Sequence, residues 1–162
     1  MQLGETLLVL GALVIFSIAA LYLNDIKFNN DQNIMESEFK TTAIGLAQKY
    51  IEEAQSVKFD EVVTGASIPS PLPDAFTNFA SLGPEAGESY PQFDDVDDFN
   101  GYSAAINTPR ASYHVDITVS YADSVNITPG YLSKSFLKIM IVTVSSIFFS
   151  DSLKLNYLYS FR

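Results

Sequence analysis

Residues 5–23 of the chain read ETLLVLGALVIFSIAALYL, a single carboxylate followed by an apolar run without any charge. As an α-helix rising about 1.5 Å per residue, residues 5–22 extend over about 27 Å, which nearly matches the hydrocarbon core of a bilayer. An ionised group in hydrocarbon costs about 2.5 to 3.5 kcal/mol even on lenient insertion scales. The run therefore predicts a helix in a membrane or an equally dry environment, in which Glu5 has a partner or a task.

The amino-terminal flank of this run differs from that of a secretory signal peptide. A signal peptide has basic residues before its apolar core and a small-residue cleavage site after it. Residues 1–4 contain no Lys or Arg, and no such site follows the run. We expect that a basic leader was removed ahead of Met1, whose free amino group is then the nearest candidate partner for Glu5.

Composition limits the classes of function that the remainder of the 162-residue chain can have. Beyond the apolar run there is length for one modest soluble domain. Nine Lys and Arg against nineteen Asp and Glu give a net charge of −10, which repels phosphate backbones and argues against nucleic-acid binding. The chain has no cysteine, so any structural staple must come from packing or from a metal.

The segment 25–59 continues the apolar half-helix of residues 1–24 as an amphipathic half-helix. Asn24–Asp31 is rich in residues that compete with helical backbone bonds, which fits an exit from the membrane and a weak point in the helix. An apolar stripe at intervals of three or four residues follows, and it predicts a face that packs on a sheet. The stripe comprises Met35, Phe39, Ala43, Leu46, Tyr50, Ala54 and Val57.

Residues 60–110 are predicted to form a long connecting loop with short pieces of structure, because six prolines and several glycines interrupt this segment. The loop contains four carboxylates within five residues: Asp94, Asp95, Asp97 and Asp98. Two interpretations stay open. The four could bind Ca²⁺, a hard cation that takes six to eight oxygens, although the spacing is not that of an EF-hand. Alternatively, they form a solvated acidic loop without any cofactor.

The last part of the chain, residues 111–162, is predicted to be an antiparallel sheet. Tyr113–Tyr121 alternates apolar and polar residues without a miss, which is typical of a strand with one buried face. A β-branched run, Phe136–Phe149, predicts a central strand, and Leu153–Phe161 returns beside it after a turn at Asp151 and Ser152. The predicted fold class is therefore α+β, with the striped helix covering a sheet of three or four strands.

Catalysis is not expected. The single histidine, His114, lies on the polar side of its predicted strand and has no cysteine or second histidine with which to share a metal. None of the serines stands in a recognisable nucleophile and base pattern. We therefore predict a binding or structural protein.

The order of these features resembles the type IV pilin and type II secretion pseudopilin superfamily in its processed form. The likeness rests on Glu5, the apolar half-helix beyond it, the amphipathic continuation and the antiparallel sheet. The amino-terminal third carries the specific match, while the sheet agrees only in architecture. Three features depart from many pilins: Met1 where phenylalanine is commoner, Tyr22 where a proline often loosens the helix, and the absence of cysteines for a carboxy-terminal disulfide loop.

The resemblance implies a pilin-like fold, with a long amino-terminal helix packed on a sheet, and a homopolymer of identical subunits. Met1 would be the processed and methylated terminus, and Glu5 the assembly carboxylate. The subunit would wait in the inner membrane until the pilus assembly machinery moves it into an extracellular filament at the cell surface. The filament core would be formed by Leu7, Leu8, Leu10, Leu13, Val14, Phe16, Ile18 and Leu21.

Two alternatives remain. The chain resembles minor pilins and pseudopilins of a type II secretion-like apparatus as well as major subunits. From another class, the alternative is a periplasmic binding domain on an ordinary single-pass membrane helix, which the periodicity does not exclude. In that case Glu5 would be a first-turn carboxylate, favoured by the helix dipole and reaching the headgroups.

Overall fold

The computed structural model describes residues 2–63, 73–125, 127 and 129–161. The chain divides into two compact units, Met1–Glu38 and Phe39–Arg162, which we call the amino-terminal and carboxy-terminal units. Helix α1, Gln2–Ser56, contributes to both units. The predicted weak point at Asn24–Asp31 is helical throughout, so its polar side chains do not interrupt the backbone hydrogen bonds there.

A four-stranded antiparallel sheet forms the larger part of the carboxy-terminal unit. Its strands are β1 (Ser103–Asn107), β2 (Ser112–Tyr121), β3 (Leu137–Ser145) and β4 (Leu153–Ser160), and their order in the sheet is β1-β2-β3-β4. Each strand therefore pairs with its neighbour in sequence, as in a meander. Strand β1 lies in the segment for which we expected a loop with short structured pieces. It was not predicted as a strand because its short sequence, SAAIN, has little hydrophobic patterning.

The alternation predicted for the second strand is confirmed. Tyr113, Val115, Ile117, Val119 and Tyr121 are all buried. The neighbouring strand β3 supplies Met140, Val142 and Val144 to the same core, in register with the buried residues of β2. Together with the helical residues of the carboxy-terminal unit they form its hydrophobic core, so the predicted α+β class, a long amino-terminal helix on an antiparallel sheet, is confirmed.

The part of α1 in the carboxy-terminal unit packs on the sheet through a face rich in alanine. Its fully or nearly fully buried residues are Phe39, Ala43, Ala47, Tyr50, Ile51 and Ala54. Three alanines alternate on this face with the larger Phe39, Tyr50 and Ile51, and all six are part of the core. The hydroxyl of Tyr159 on β4 donates a hydrogen bond of 3.0 Å to the carbonyl oxygen of Ile51, which ties the helix to the far strand.

The predicted stripe is partly displaced. Leu46 and Val57 only pack on the edge of the core, whereas Ala47 and Ile51, which the stripe omitted, are buried. Met35, which the stripe included, is 51% exposed and belongs to the amino-terminal unit. The buried row therefore runs through Ala47 and Ile51, about one residue to the side of the predicted stripe.

We expect that Ala47→Leu destabilises the carboxy-terminal unit by about 1 to 3 kcal/mol, because three additional carbons must fit into a core that is already filled. The matched control is Gln48→Leu, an exposed position next to it in the same helix, for which a change within about 0.5 kcal/mol is expected. Denaturant unfolding of the two variants checks this. Equal stability of both would contradict the close packing at Ala47.

Candidate functional site

The amino-terminal unit is apolar around the whole helix from residue 6 to residue 23, where no side chain is charged. In the isolated chain its large apolar side chains are exposed, from 49% for Ile26 to 79% for Leu3. The predicted core residues are all among them: Leu7, Leu8, Leu10, Leu13, Val14, Phe16, Ile18 and Leu21. A helix that is hydrophobic on every side is stable only when it is surrounded by lipid or by other apolar segments. By length and composition this helix is able to cross a membrane.

The only charged side chain at the head of this surface is Glu5, in the first turn of α1. A carboxylate is favoured there by the helix dipole, whichever partner it has. The predicted partner, the amino group of Met1, lies outside the described residues. The structure therefore places Glu5 at the end of an apolar surface and leaves its pairing a prediction.

Polar groups within the apolar run are satisfied inside the helix. The hydroxyl of Ser17 donates to the carbonyl oxygen of Leu13 at 2.8 Å, and that of Thr6 donates to the carbonyl oxygen of Leu3 at 3.0 Å. Neither hydroxyl needs water for a hydrogen bond, so both fit a dry environment. Beyond Glu5, the first charge along α1 is Asp25.

The four predicted metal-binding carboxylates are not gathered around one point. Asp94 is exposed, whereas Asp95, Asp97 and Asp98 are at most 1% exposed. The interpretation as a solvated acidic loop is therefore wrong for these three. The segment is drawn into the domain because Val96 and Phe99 join the hydrophobic core. The backbone of Lys58 also pairs with it on both sides of Asp95: its N–H donates to the carbonyl oxygen of Asp94 at 3.0 Å, and its carbonyl oxygen accepts from the N–H of Val96 at 2.9 Å.

A buried lysine explains part of this burial. Lys138 on β3 is 0% exposed, and its ammonium group donates to the carbonyl oxygen of Phe59 at 2.6 Å, to Asp60 Oδ2 at 2.8 Å and to Asp97 Oδ1. These three acceptors match the three N–H donors of an ammonium group. The rings of Phe59 and Tyr121 lie 4.7 and 5.5 Å from the nitrogen, so the charge is also stabilised by aromatic faces.

Lys138 and its two carboxylate partners, Asp60 and Asp97, are called the lysine centre below. Asp60 accepts hydrogen bonds from several further groups. Its Oδ1 accepts from the backbone N–H and the hydroxyl of Thr77, both at 3.1 Å, and its Oδ2 accepts from the hydroxyl of Tyr121 at 3.1 Å. Burial and the charge of Asp60 raise the pKa of the Tyr121 phenol, which keeps its proton and remains a donor. The lysine centre is thus a polar network that joins the segment after α1, the acidic loop and the sheet.

The pKa values of Asp95 and Asp97 are shifted by different surroundings. Burial, the charge of Asp97 and a hydrogen bond to it raise the pKa of Asp95 to about 9, so Asp95 holds a proton at neutral pH. Asp95 Oδ1 accepts from the backbone N–H of Asp97 at 2.7 Å, which places the two side by side. Burial also raises the pKa of Asp97, whereas the ammonium of Lys138 and the hydrogen bond with Asp95 lower it.

Sequence reasoning missed the lysine centre, although a signal existed. Lys138 has the same parity along β3 as Met140, Val142 and Val144, so strand alternation places its side chain on the buried face. A lysine in that position requires buried carboxylates, and the crowded acids at 94–98 are the obvious source.

A second group of carboxylates consists of Asp98 and two glutamates from the preceding segment. One oxygen each of Glu85, Glu88 and Asp98 lie within 4.8 Å of one another. Burial, a hydrogen bond with Glu88 and the charge of Asp98 raise the pKa of Glu85 to about 7. Of the four predicted residues, only Asp98 belongs to this group.

No family model, no curated protein and no solved structure matches the chain.

Proposed function

We propose that the chain is a structural subunit of an extracellular type IV pilus-like filament. The observation that supports this best is the first part of the amino-terminal unit, where the helix surface is apolar on all sides between residues 6 and 23 and a single carboxylate, Glu5, lies at its head. Lipid can cover that surface before assembly, and copies of the same helix can cover it afterwards. The functional state would be the second one, in which the helices of identical subunits cover one another.

Glu5 gives this packing a register. Away from water, a carboxylate and an ammonium group attract much more strongly than in bulk solvent, and leaving either unpaired costs several kcal/mol. An incoming subunit would settle where its amino terminus, expected at Met1, meets the Glu5 of a subunit already in place. A helix displaced along its neighbour would leave both charges buried and unpaired, so the penalty selects one position.

The contact between subunits is of the head-to-tail kind. One subunit contributes its amino terminus and the next contributes Glu5, so the two surfaces differ and the contact repeats without closing. Such a repeat generates a helical filament with a dry centre made of the amino-terminal helices. The carboxy-terminal units would then form the filament exterior.

The subunit would occupy two environments in turn, the membrane and the filament. It would reside in the inner membrane until the pilus assembly machinery removes it into the filament at the cell surface. Its partners would be identical subunits, with no nucleic acid, no catalytic activity and no cofactor needed for polymerisation. Minor pilins and pseudopilins of a type II secretion-like apparatus share these properties, and their abundance distinguishes them from a major subunit.

Shearing of cells that express the chain tests the proposal. We expect fibres in the sheared fraction, with this chain as their dominant protein. A trace amount among other pilin-like chains would identify a minor subunit. Retention of the whole population in the membrane fraction, as monomer, would contradict the proposal and favour a single-pass protein with a periplasmic binding domain.

A further inference from the structure

A turn between two glutamates brings their side chains together. The backbone N–H of Glu88 donates to the carbonyl oxygen of Glu85 at 3.0 Å, and the N–H of Glu85 donates to Glu88 Oε2 at 3.3 Å. Gly87 in this turn has a φ of +103°, which other residues rarely adopt. Local backbone geometry therefore holds two carboxylates close to each other despite their mutual repulsion.

The third carboxylate comes from a rigid part of the domain. Asp98 lies in a short 3₁₀ turn, Asp97–Phe99, and is 0% exposed. Asn100 fastens this turn to the glutamate segment, because its Nδ2 donates to the carbonyl oxygen of Leu82 at 2.9 Å. Its Oδ1 accepts from the backbone N–H of Val119 at 2.9 Å, so the same side chain ties both segments to the sheet.

Only one of the two carboxylate oxygens of Asp98 accepts hydrogen bonds within the described part of the protein. Its Oδ2 accepts from the backbone N–H groups of Asp94 and Asp95, at 3.0 and 3.1 Å. Among the residues that the structure describes, its Oδ1 is buried without a hydrogen-bond partner, and so is Glu85 Oε2. A fully buried aspartate with one unpartnered oxygen among two other carboxylates leaves a charge that something must neutralise.

No cationic side chain supplies that neutralisation. Among the described residues, the buried lysine is committed to Asp60 and Asp97, and Lys49 pairs with Glu53. No lysine or arginine in this part of the chain forms an ion pair with Glu85, Glu88 or Asp98. The described part of the chain thus supplies no cationic side chain for this group, and a cation from solution can take that place.

We propose that Glu85, Glu88 and Asp98 bind a divalent cation, and that this cation is Ca²⁺. Two glutamates with two oxygens each and the free oxygen of Asp98 offer up to five carboxylate ligands, and water completes the six to eight that Ca²⁺ takes. The side chains enter from a turn and a 3₁₀ segment, an irregular arrangement that suits Ca²⁺ better than the strict octahedron of Mg²⁺. The site lies within the carboxy-terminal unit and does not depend on the proposed filament.

The test compares thermal unfolding of the purified full chain in detergent micelles with millimolar CaCl₂, with MgCl₂ and with EGTA. We expect Ca²⁺ to raise the midpoint by about 5 °C or more over EGTA, and Mg²⁺ to raise it less. Titration calorimetry should give one Ca²⁺ per chain. Equal midpoints in Ca²⁺ and EGTA would overturn the proposal.

Asp98→Asn provides the decisive variant. The amide keeps an oxygen for the N–H groups of Asp94 and Asp95 and replaces the unpartnered oxygen by a donor to the glutamates. We therefore expect a midpoint in EGTA at or above that of the parent chain, together with complete loss of the response to Ca²⁺. Glu88→Gln, at a half-buried position, should also lose the response and serves if the first variant does not fold.

The control is Asp151→Asn, an exposed carboxylate in the turn between β3 and β4. Its response to Ca²⁺ should equal that of the parent chain. A Ca²⁺ response that survives both Asp98→Asn and Glu88→Gln would place the ion elsewhere and contradict this assignment.

Discussion

Replacing Glu5 by alanine is expected to abolish filaments or to reduce them to a small fraction of the parent level. The change leaves the amino terminus of each incoming subunit without its carboxylate in a dry core, where an unpaired charge costs several kcal/mol. Each subunit in the fibre would suffer this loss, so the effect on polymer yield is large. Electron microscopy and quantification of the sheared fraction measure it.

Further variants distinguish a specific effect on filament assembly from a general effect on folding or membrane insertion. Glu5→Gln keeps the size and polarity of the side chain but removes its charge, and we expect it to fail almost as severely. Glu52→Ala removes an exposed carboxylate from the same helix and should leave fibres intact. The Glu5→Ala subunit should still insert into the membrane and fold, because its apolar surface is unchanged. Normal fibres from Glu5→Ala would remove the pairing mechanism.

Lys138→Met is expected to destabilise the carboxy-terminal unit by about 3 to 5 kcal/mol, since it leaves buried Asp60 and Asp97 without their cation. Methionine fills a similar volume, so the loss reports the charge rather than a cavity. In thermal unfolding the midpoint should fall by more than about 10 °C.

Two comparisons make this prediction specific. Lys154→Met removes an exposed lysine from β4 and should change stability by no more than about 0.5 kcal/mol. Combining Lys138→Met with Asp60→Asn and Asp97→Asn should recover part of the loss, because neither of the two former partners of the lysine is then charged. A single Lys138→Met variant as stable as the Lys154→Met control would mean that the lysine centre contributes nothing to the fold.

Periodicity made the architecture predictable. The alternation in Tyr113–Tyr121 gave the right buried face, and the apolar run of β3 and the return strand β4 were found within a few residues of their bounds. These patterns suffice because burial of one strand face is a local property of the sequence. The apolar amino-terminal helix was equally clear, since its length and composition alone define it.

The polar interior was not predictable by the same means. Asp60, Asp97 and Lys138 come from three separate segments, and only the folded chain brings their charges together. Glu85 and Glu88 belong to no pattern that the sequence analysis used, and their proximity to Asp98 depends on the hydrogen bonds of Asn100. In a chain without cysteine, these long-range polar contacts fix the loop in place of covalent links.

The structure of sheared fibres at a resolution that shows side chains tests the proposed function most directly. The account predicts amino-terminal helices packed together in a dry core, with the Glu5 carboxylate within about 4 Å of the amino nitrogen of a neighbouring subunit. Amino-terminal helices that stand apart, with Glu5 facing lipid or water, would contradict it.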